Sequence, residues 1–231
     1  MSQNKKVLVA TICPEQVTSY YANSVVKAML YFANSKNVCP ITYETFFSTY
    51  IHDGRNLIVK YAKKIGATHI IWIDSDMFFP SRTFETLLNH NLDFVGVNYA
   101  TRKPPHFFTA MKRFWKDAPD VEYHDGLGYV SVHTSDQSSG LEEVDSLGFG
   151  LCVTATHLFD KIEKPWFEYE YVPSNDSHCG EDIYFCRKLE DITKIYVDHD
   201  LSKEVKHVAT GFIDYTAPNK VMEKKMSRHN S

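Results

Sequence analysis

The chain lacks a paired cysteine framework. Its five cysteines (Cys13, Cys39, Cys152, Cys179 and Cys186) are odd in number and irregularly spaced, and no Cys-x-x-Cys pair occurs. That pattern suits free thiols in a reducing cytosol better than a disulfide scaffold and argues against a structural zinc site. No apolar run approaches the roughly 20 residues needed to span a bilayer. The hydrophobic segment after Met1 to Lys6 is too short for a secretory signal, so a cytoplasmic chain is expected. A basic excess is missing as well: the net charge of -4 argues against a general nucleic-acid binder. The chain shows no internal repeat and no low-complexity segment. No Gly-rich, Lys- or Arg-bearing loop follows the first apolar run, and Thr11-Ile12-Cys13-Pro14-Glu15 does not cradle a triphosphate.

What is present points to an α/β protein. The 231 residues suffice for one large domain or two small ones, and 43% hydrophobic content is ordinary for a globular chain. Val7 to Ile12 reads as a buried strand, closed by Pro14. Ala22, Val25, Val26, Met29 and Ala33 recur at helical spacing and predict a helix over 17–34. Ile41 to Tyr50 reads as a second strand. Leu57, Ile58, Tyr61, Ala62 and Ile65 form the apolar face of a second helix, opened by Asp53-Gly54 and closed by Gly66. A third strand over 68–73, a helix over 81–89 and a fourth strand over 93–97 complete a strand-helix alternation. That alternation predicts a mainly parallel, doubly wound sheet. Residues 1–100 thus look like a nucleotide-binding half of a single domain over 1–217. Residues 110–137 have no clean period, 147–153 read as a further strand, and a short helix is expected over 156–162. Gly180-Glu181-Asp182 opens another helix, and 218–231 is a charged tail expected to be mobile.

The chemistry concentrates at the end of the third strand. Ile70-Ile71-Trp72-Ile73 runs into Asp74-Ser75-Asp76, two carboxylates spaced i, i+2. In an extended backbone they would converge on one side, with Ser75 turned away. Adjacent carboxylates repel and are relieved by a cation or by a proton, and ligands bind at the carboxyl ends of strands in α/β sheets. A divalent metal holding a diphosphate is the reading these residues favour. The alternative is a strand-ending turn that caps the next helix. A helix-loop-helix calcium site is excluded, because Phe78 and Phe79 stand where that loop needs a polar ligand and Gly.

In order, the first strand ending near Thr11, Arg55-Asn56, Asp74-Ser75-Asp76, and Gly180-Glu181-Asp182 followed by His207 resemble the GT-A glycosyltransferases. The likeness is to compact, soluble members of the kind encoded by large DNA viruses and phages. Thr68 to Met77 and Leu92 to Tyr99 carry most of it, and it covers about residues 5 to 210. It implies a Rossmann-like three-layer α/β/α sandwich with a mainly parallel central sheet and a smaller antiparallel acceptor-side region, 101–217 being the acceptor half. It implies that Asp76 binds Mn²⁺ or Mg²⁺, with Asp74 on the ribose or on a metal-bound water. His207 best matches a completing metal ligand, with His199 as competitor. Thr11, Cys13 and Pro14 would lie along the base, Ser75 beside the nucleotide, and Arg55 at the ribose or diphosphate. The donor would be a nucleoside-diphosphate sugar, a UDP-sugar being favoured, and the acceptor a hydroxyl of a glycan or glycoprotein. In inverting members a carboxylate at Asp182, or failing that Glu181, takes the acceptor proton.

Each role has a plainer alternative. Arg55 could form a surface salt bridge at a helix start. Asp182 could only cap its helix, whose dipole should lower its pKa and weaken it as a base. His207 could be a hydrogen-bonded structural group. Tyr99, Lys103 and the Gly148-Phe149-Gly150 segment could shape a donor-sugar and acceptor pocket, and Trp115 and Trp166 could stack on a sugar, but loop or core packing is the better reading for the first three and packing for the tryptophans. Two rival functions remain at this point, a metal-dependent sugar nucleotidyltransferase and a non-catalytic glycan- or nucleotide-binding module.

Overall fold

A computed structural model describes residues 5–13, 16–36, 39–113, 128–173, 176–209 and 211–218. Expectations for Pro14, Trp115, residues 114–127 of the aperiodic segment and the 219–231 tail lie outside the described residues. The first half contains β1 (Val7–Ile12), α1 (Ser19–Ala33), β2 (Ile41–Phe46), α2 (Ile51–Ile65), β3 (His69–Ile73), β4 (Met77–Phe78), α3 (Thr83–Asn89) and β5 (Phe94–Gly96). The second contains β6 (Met111–Arg113), β7 (Tyr129–Ser131), β8 (Leu141–Val144) and β9 (Leu151–Ala155), then a 3-10 turn (Thr156–Asp160), β10 (Glu170–Val172) and β11 (Ser177–Cys179). It ends with α4 (Glu181–Lys188), β12 (Ile195–Asp198), α5 (His199–Ser202), β13 (Lys206–Val208) and β14 (Phe212–Ile213).

One sheet of seven strands, ordered β2-β1-β3-β9-β5-β12-β8, carries the fold. Strands β9 and β8 run against the other five, so the sheet is mainly parallel in direction but mixed in its pairings. Strand β9, from the second half, lies between β3 and β5 of the first. Its register with β3 runs from His69 opposite Ala155 to Ile73 opposite Leu151.

Alternation along the central strands divides the core. Leu8, Ala10, Ile70, Trp72 and Phe94 face the cluster built on α2 and α4. Val7, Val9, Ile71, Ile73 and Val95 face the cluster built on α1 and α3. Successive side chains point to opposite faces, and helices cover both, so these strands read as unbroken apolar runs.

Several boundaries differ from expectation. Helix α1 buries Tyr21, Ser24, Val25, Ala28 and Phe32; of the predicted face Val25 is buried and Met29 packs against the core, whereas Ala22, Val26 and Ala33 are exposed. Thr18 caps it, its hydroxyl accepting from the Tyr21 N–H. Strand β2 stops at Phe46. Helix α2 begins at Ile51 and ends at Gly66 in the left-handed conformation, as expected of a glycine closing a helix. Gly148 and Gly150 precede β9 instead of lying within it. They admit no ligand: a Cβ on Gly150 would sit 2.5 Å from the Tyr99 Cζ and Oη. Packing thus explains this segment and Tyr99. Trp166 is also a packing residue, buried with its indole N–H donating to Phe159 O.

Candidate active site at the sheet switch point

Helices α1 and α2 pack on opposite faces on either side of β1, so the carboxyl ends of β1 and β3 flank a topological switch point. A crevice for ligands is expected there. Strand β3 delivers Asp74-Ser75-Asp76 to that edge. The backbone turns at once: the Met77 N–H donates to Asp74 O at 3.2 Å, and Asp74 N donates to Gly150 O at 2.9 Å. The extended geometry expected for this triplet is therefore incorrect. The two carboxylates lie in a turn, take different partners, and leave Ser75 half-buried between them.

Asp76 meets a histidine that is distant in sequence. Strand β4 pairs with β13, placing His207 opposite Met77, and the Val208 N–H donates to Asp76 O at 2.7 Å. His207 Nε2 then lies 3.2 Å from Asp76 Oδ1. Its Nδ1 lies 2.9 Å from Ala100 O. A carbonyl only accepts, so Nδ1 carries the proton and donates. With both ring nitrogens protonated, the Nε2–H donates to Asp76 Oδ1; in the neutral ring Nε2 instead offers a lone pair that a cation beside the same carboxylate could take. Metal-ligating histidines are held in this way, the far N–H fixed by a backbone carbonyl. Asp76 Oδ2 lies 2.8 Å from Arg102 Nη1. Burial raises the Asp76 carboxyl, but His207 and Arg102 outweigh it and hold the carboxyl below its usual range.

Behind this pair sits a buried charge cluster. Arg55 is 3% exposed. Its Nη1 lies 2.7 Å from Glu181 Oε1, an ion pair without the linear geometry of a hydrogen bond, and its Nη2 lies 3.7 Å from Asp74 Oδ1. Its guanidinium lies 4.9 Å from the Phe149 ring centroid. Arg55 is thus neither a surface salt bridge nor open to a ligand, because its fork is enclosed by carboxylates and aromatic rings. Burial would lower its pKa, yet Glu181, Asp74 and Asp182 together raise it. Burial raises the Asp74 carboxyl, with Arg55 opposing.

The two candidate bases separate here. Glu181 is buried against Arg55 and hydrogen-bonded by the Tyr169 hydroxyl. Asp182 is less enclosed, and its Oδ1 accepts from the Ile183 N–H at 2.8 Å. Burial and the Glu181 charge push the Asp182 carboxyl up to about 6, with Arg55 opposing. The lowering expected from the helix dipole is overturned, because desolvation and a neighbouring like charge exceed it. Gly180 makes room for this arrangement, since a Cβ there would lie 2.8 Å from Asp182 Oδ1.

Other expected residues lie elsewhere. Thr11 is fully buried and its hydroxyl bonds Tyr21 Oη, so its side chain does not line a base pocket. Cys13 is half-buried just past β1, its N–H donating to Phe46 O. His199 is not a competitor for the Asp76 site. It is buried with Nδ1 on Thr134 Oγ1 at 3.0 Å and Nε2 on Glu142 Oε2 at 2.8 Å. Among the described residues no group of three or more His, Cys, Asp or Glu side chains converges as a metal cage, and Asp74 does not join Asp76 and His207. A carboxylate and an imidazole that can offer Nε2 in its neutral form nevertheless fit a divalent cation that completes its shell with phosphate oxygens and water. Sequence reasoning missed Arg102. Its signal was a basic residue in the Thr101-to-Pro105 loop just after β5, at the same sheet edge.

Fold and site together define an α/β protein of Rossmann-like class with a cluster of charged side chains at its switch point. Among solved structures, the chain is similar to the crystal structure of A197 from STIV. The two share 15% identity with a TM-score of 0.56, over 93% of this chain and 91% of that one. In all, 104 chains of known structure match, and a fold so widely shared does not select an activity. No family model and no curated protein matches. Among the described residues no helix is long and apolar enough to cross a membrane.

Proposed function

We propose that this chain is a metal-dependent glycosyltransferase of GT-A type, its helices and mainly parallel sheet forming the three-layer sandwich of that family. It would transfer a sugar from a nucleoside-diphosphate donor, a UDP-sugar being favoured, to a hydroxyl of a glycan or glycoprotein. The observation that carries this reading is the Nε2 of His207 directed at Asp76 and fixed from behind by Ala100 O. That pair lies just past the carboxyl end of β3, beside the switch point, where α/β sheets commonly take ligands.

Asp76 and His207 would hold Mn²⁺ or Mg²⁺, which when bound neutralises charge on the departing nucleoside diphosphate. Asp74 lies at the same strand end and is oriented by Arg55, which acts through it rather than on the ligand. Asp182 is the base. Its carboxylate takes the proton of the acceptor hydroxyl as that oxygen bonds to the anomeric carbon. The bond from that carbon to the phosphate oxygen breaks, and the nucleoside diphosphate leaves. A carboxylate with a pKa near 6 is ionised at neutral pH and is a stronger base than an ordinary Asp. Direct displacement from the opposite face inverts the anomeric centre, which NMR of the product would show.

Calorimetric titration with UDP, GDP, CDP and dTDP, each with Mn²⁺ and then with EDTA, tests the reading. One nucleotide should bind in Mn²⁺ and lose affinity in EDTA, and Asp76→Ala should abolish the metal-dependent part. Absence of nucleotide binding in both conditions would return Asp74-Ser75-Asp76 to the role of a turn.

A further inference from the structure

We propose that Arg102 is an exchangeable counter-ion of the metal-binding carboxylate. It neutralises Asp76 while no divalent cation is bound, and its guanidinium passes to the diphosphate once a cation takes its place. The inference rests on the metal-dependent transfer proposed above.

The two arginines of the site are built differently. Arg55 is 3% exposed and enclosed. The Arg102 side chain is 56% exposed, whereas the Asp76 side chain it pairs with is 19% exposed. Arg102 can therefore leave without stranding a buried charge, and its guanidinium regains water on the way. Asp76 cannot follow, because the Val208 N–H holds its backbone oxygen and His207 holds Oδ1.

The base of the Arg102 loop is fixed. The Thr101 N–H donates to Phe107 O at 2.8 Å, the Phe107 N–H donates to Thr101 Oγ1 at 3.0 Å, and His106 Nδ1 lies 2.7 Å from Thr101 O. Residue 100, next in chain, supplies the carbonyl that orients His207. The root of the loop is thus tied to the same histidine, while residues 102–105 are exposed. An arginine rooted there and released from Asp76 stays within side-chain reach of the crevice. Its fork matches two phosphate oxygens, which a lysine would not reproduce.

Charge makes the exchange useful. Asp74, Asp76, Glu181 and Asp182 all line this edge, against Arg55 and Arg102. A diphosphate approaching with both arginines committed to carboxylates would meet mostly negative charge. Freeing Arg102 supplies a cation only when the metal seat is filled, which orders the two events.

The test is Mn²⁺ titration followed by EPR of free Mn²⁺, with and without the nucleoside diphosphate that binds best. Wild type, Arg102→Gln, Arg102→Lys and Asp76→Asn are compared after thermal unfolding has verified folding. Arg102→Gln should bind Mn²⁺ alone about threefold more tightly, because the competing cation is gone. It should bind the Mn²⁺-nucleotide about tenfold more weakly. Arg102→Lys should keep wild-type Mn²⁺ affinity, since the charge remains, yet share the weakened nucleotide binding. If Arg102→Gln matches wild type in either measurement, the assignment is overturned. Equal Mn²⁺ uptake by wild type and Asp76→Asn would instead overturn the metal site itself, so the two failures are distinguishable.

Discussion

Glu181 and Asp182 are neighbours in sequence with opposite surroundings. Glu181 is neutralised by Arg55, whereas Asp182 carries the cost of burial and of the Glu181 charge. The Asp182 carboxyl sits near 6 when folded, against an ordinary value of 3.8. The folded chain therefore holds that proton more tightly than the unfolded one. The stability this confers is fully present below about pH 4 and is lost as pH rises through about 6. Asp182→Asn should accordingly stabilise the protein at pH 8 by on the order of 1–2 kcal/mol, read by denaturant unfolding. The same variant should bind donor normally and lose transfer by at least about a hundredfold in kcat. In wild type, kcat/KM should fall about tenfold per unit below pH 6, and that acid limb should be absent from the residual activity of the Asn variant. Arg55→Gln removes the sole buried cation facing Glu181 and Asp74 among the described residues. It should destabilise the fold by about 3 kcal/mol in chemical denaturation. A loss below about 1 kcal/mol would show that the carboxylates simply take up protons.

At the scale of elements, the turn before β9 controls the site through packing. Gly150 accepts the Asp74 N–H on its oxygen and donates its own N–H to the Tyr99 hydroxyl at 2.9 Å. Tyr99 in turn meets His207 edge-on, with centroids 5.5 Å apart. Gly150→Ala would place a methyl 2.5 Å from that phenol. It should cost about 2 kcal/mol in thermal or denaturant unfolding and weaken Mn²⁺ binding through displaced His207. An unchanged melting temperature would show that Tyr99 yields freely. The misread face of α1 belongs at this scale too. Val26 and Leu30 are exposed while Ser24 is buried, its hydroxyl accepting from the Phe79 N–H. Hydrophobicity alone assigned Val26 inward, whereas a helix end tied by Thr18 and a bond to the β4 edge set the rotation instead.

For the molecule as a whole, β9 determines what can fold alone. Residues 1–100 contain β3 and β5, but those strands do not touch within that half, since β9 lies between them with paired register on both sides. A 1–100 fragment would leave both strand edges and the apolar residues of the α2–α4 cluster uncovered. It should therefore lack a cooperative unfolding transition and dispersed NMR resonances, while the full chain unfolds in one step. An independently folded fragment would mean that the two halves are separate domains.

Local periodicity carried the first hundred residues far. Runs such as Val7 to Ile12 and His69 to Ile73 form strands because both faces of the sheet are covered. Gly66 ends α2 because only glycine takes its left-handed backbone without strain. The Asp74-Ser75-Asp76 triplet was visible for the same reason, as polar residues at the abrupt end of an apolar run. Sequence spacing could not give the partners. His207 reaches Asp76 only through the pairing of β13 with β4, across some 130 positions. Arg55 meets Glu181 only because α2 and α4 pack on one face. The raised Asp182 carboxyl follows from burial that no spacing encodes. Residue types and local elements were thus determined along the chain. Ionisation, orientation and accessibility of the site depend on which distant side chains share one desolvated edge, and only the tertiary structure decided that.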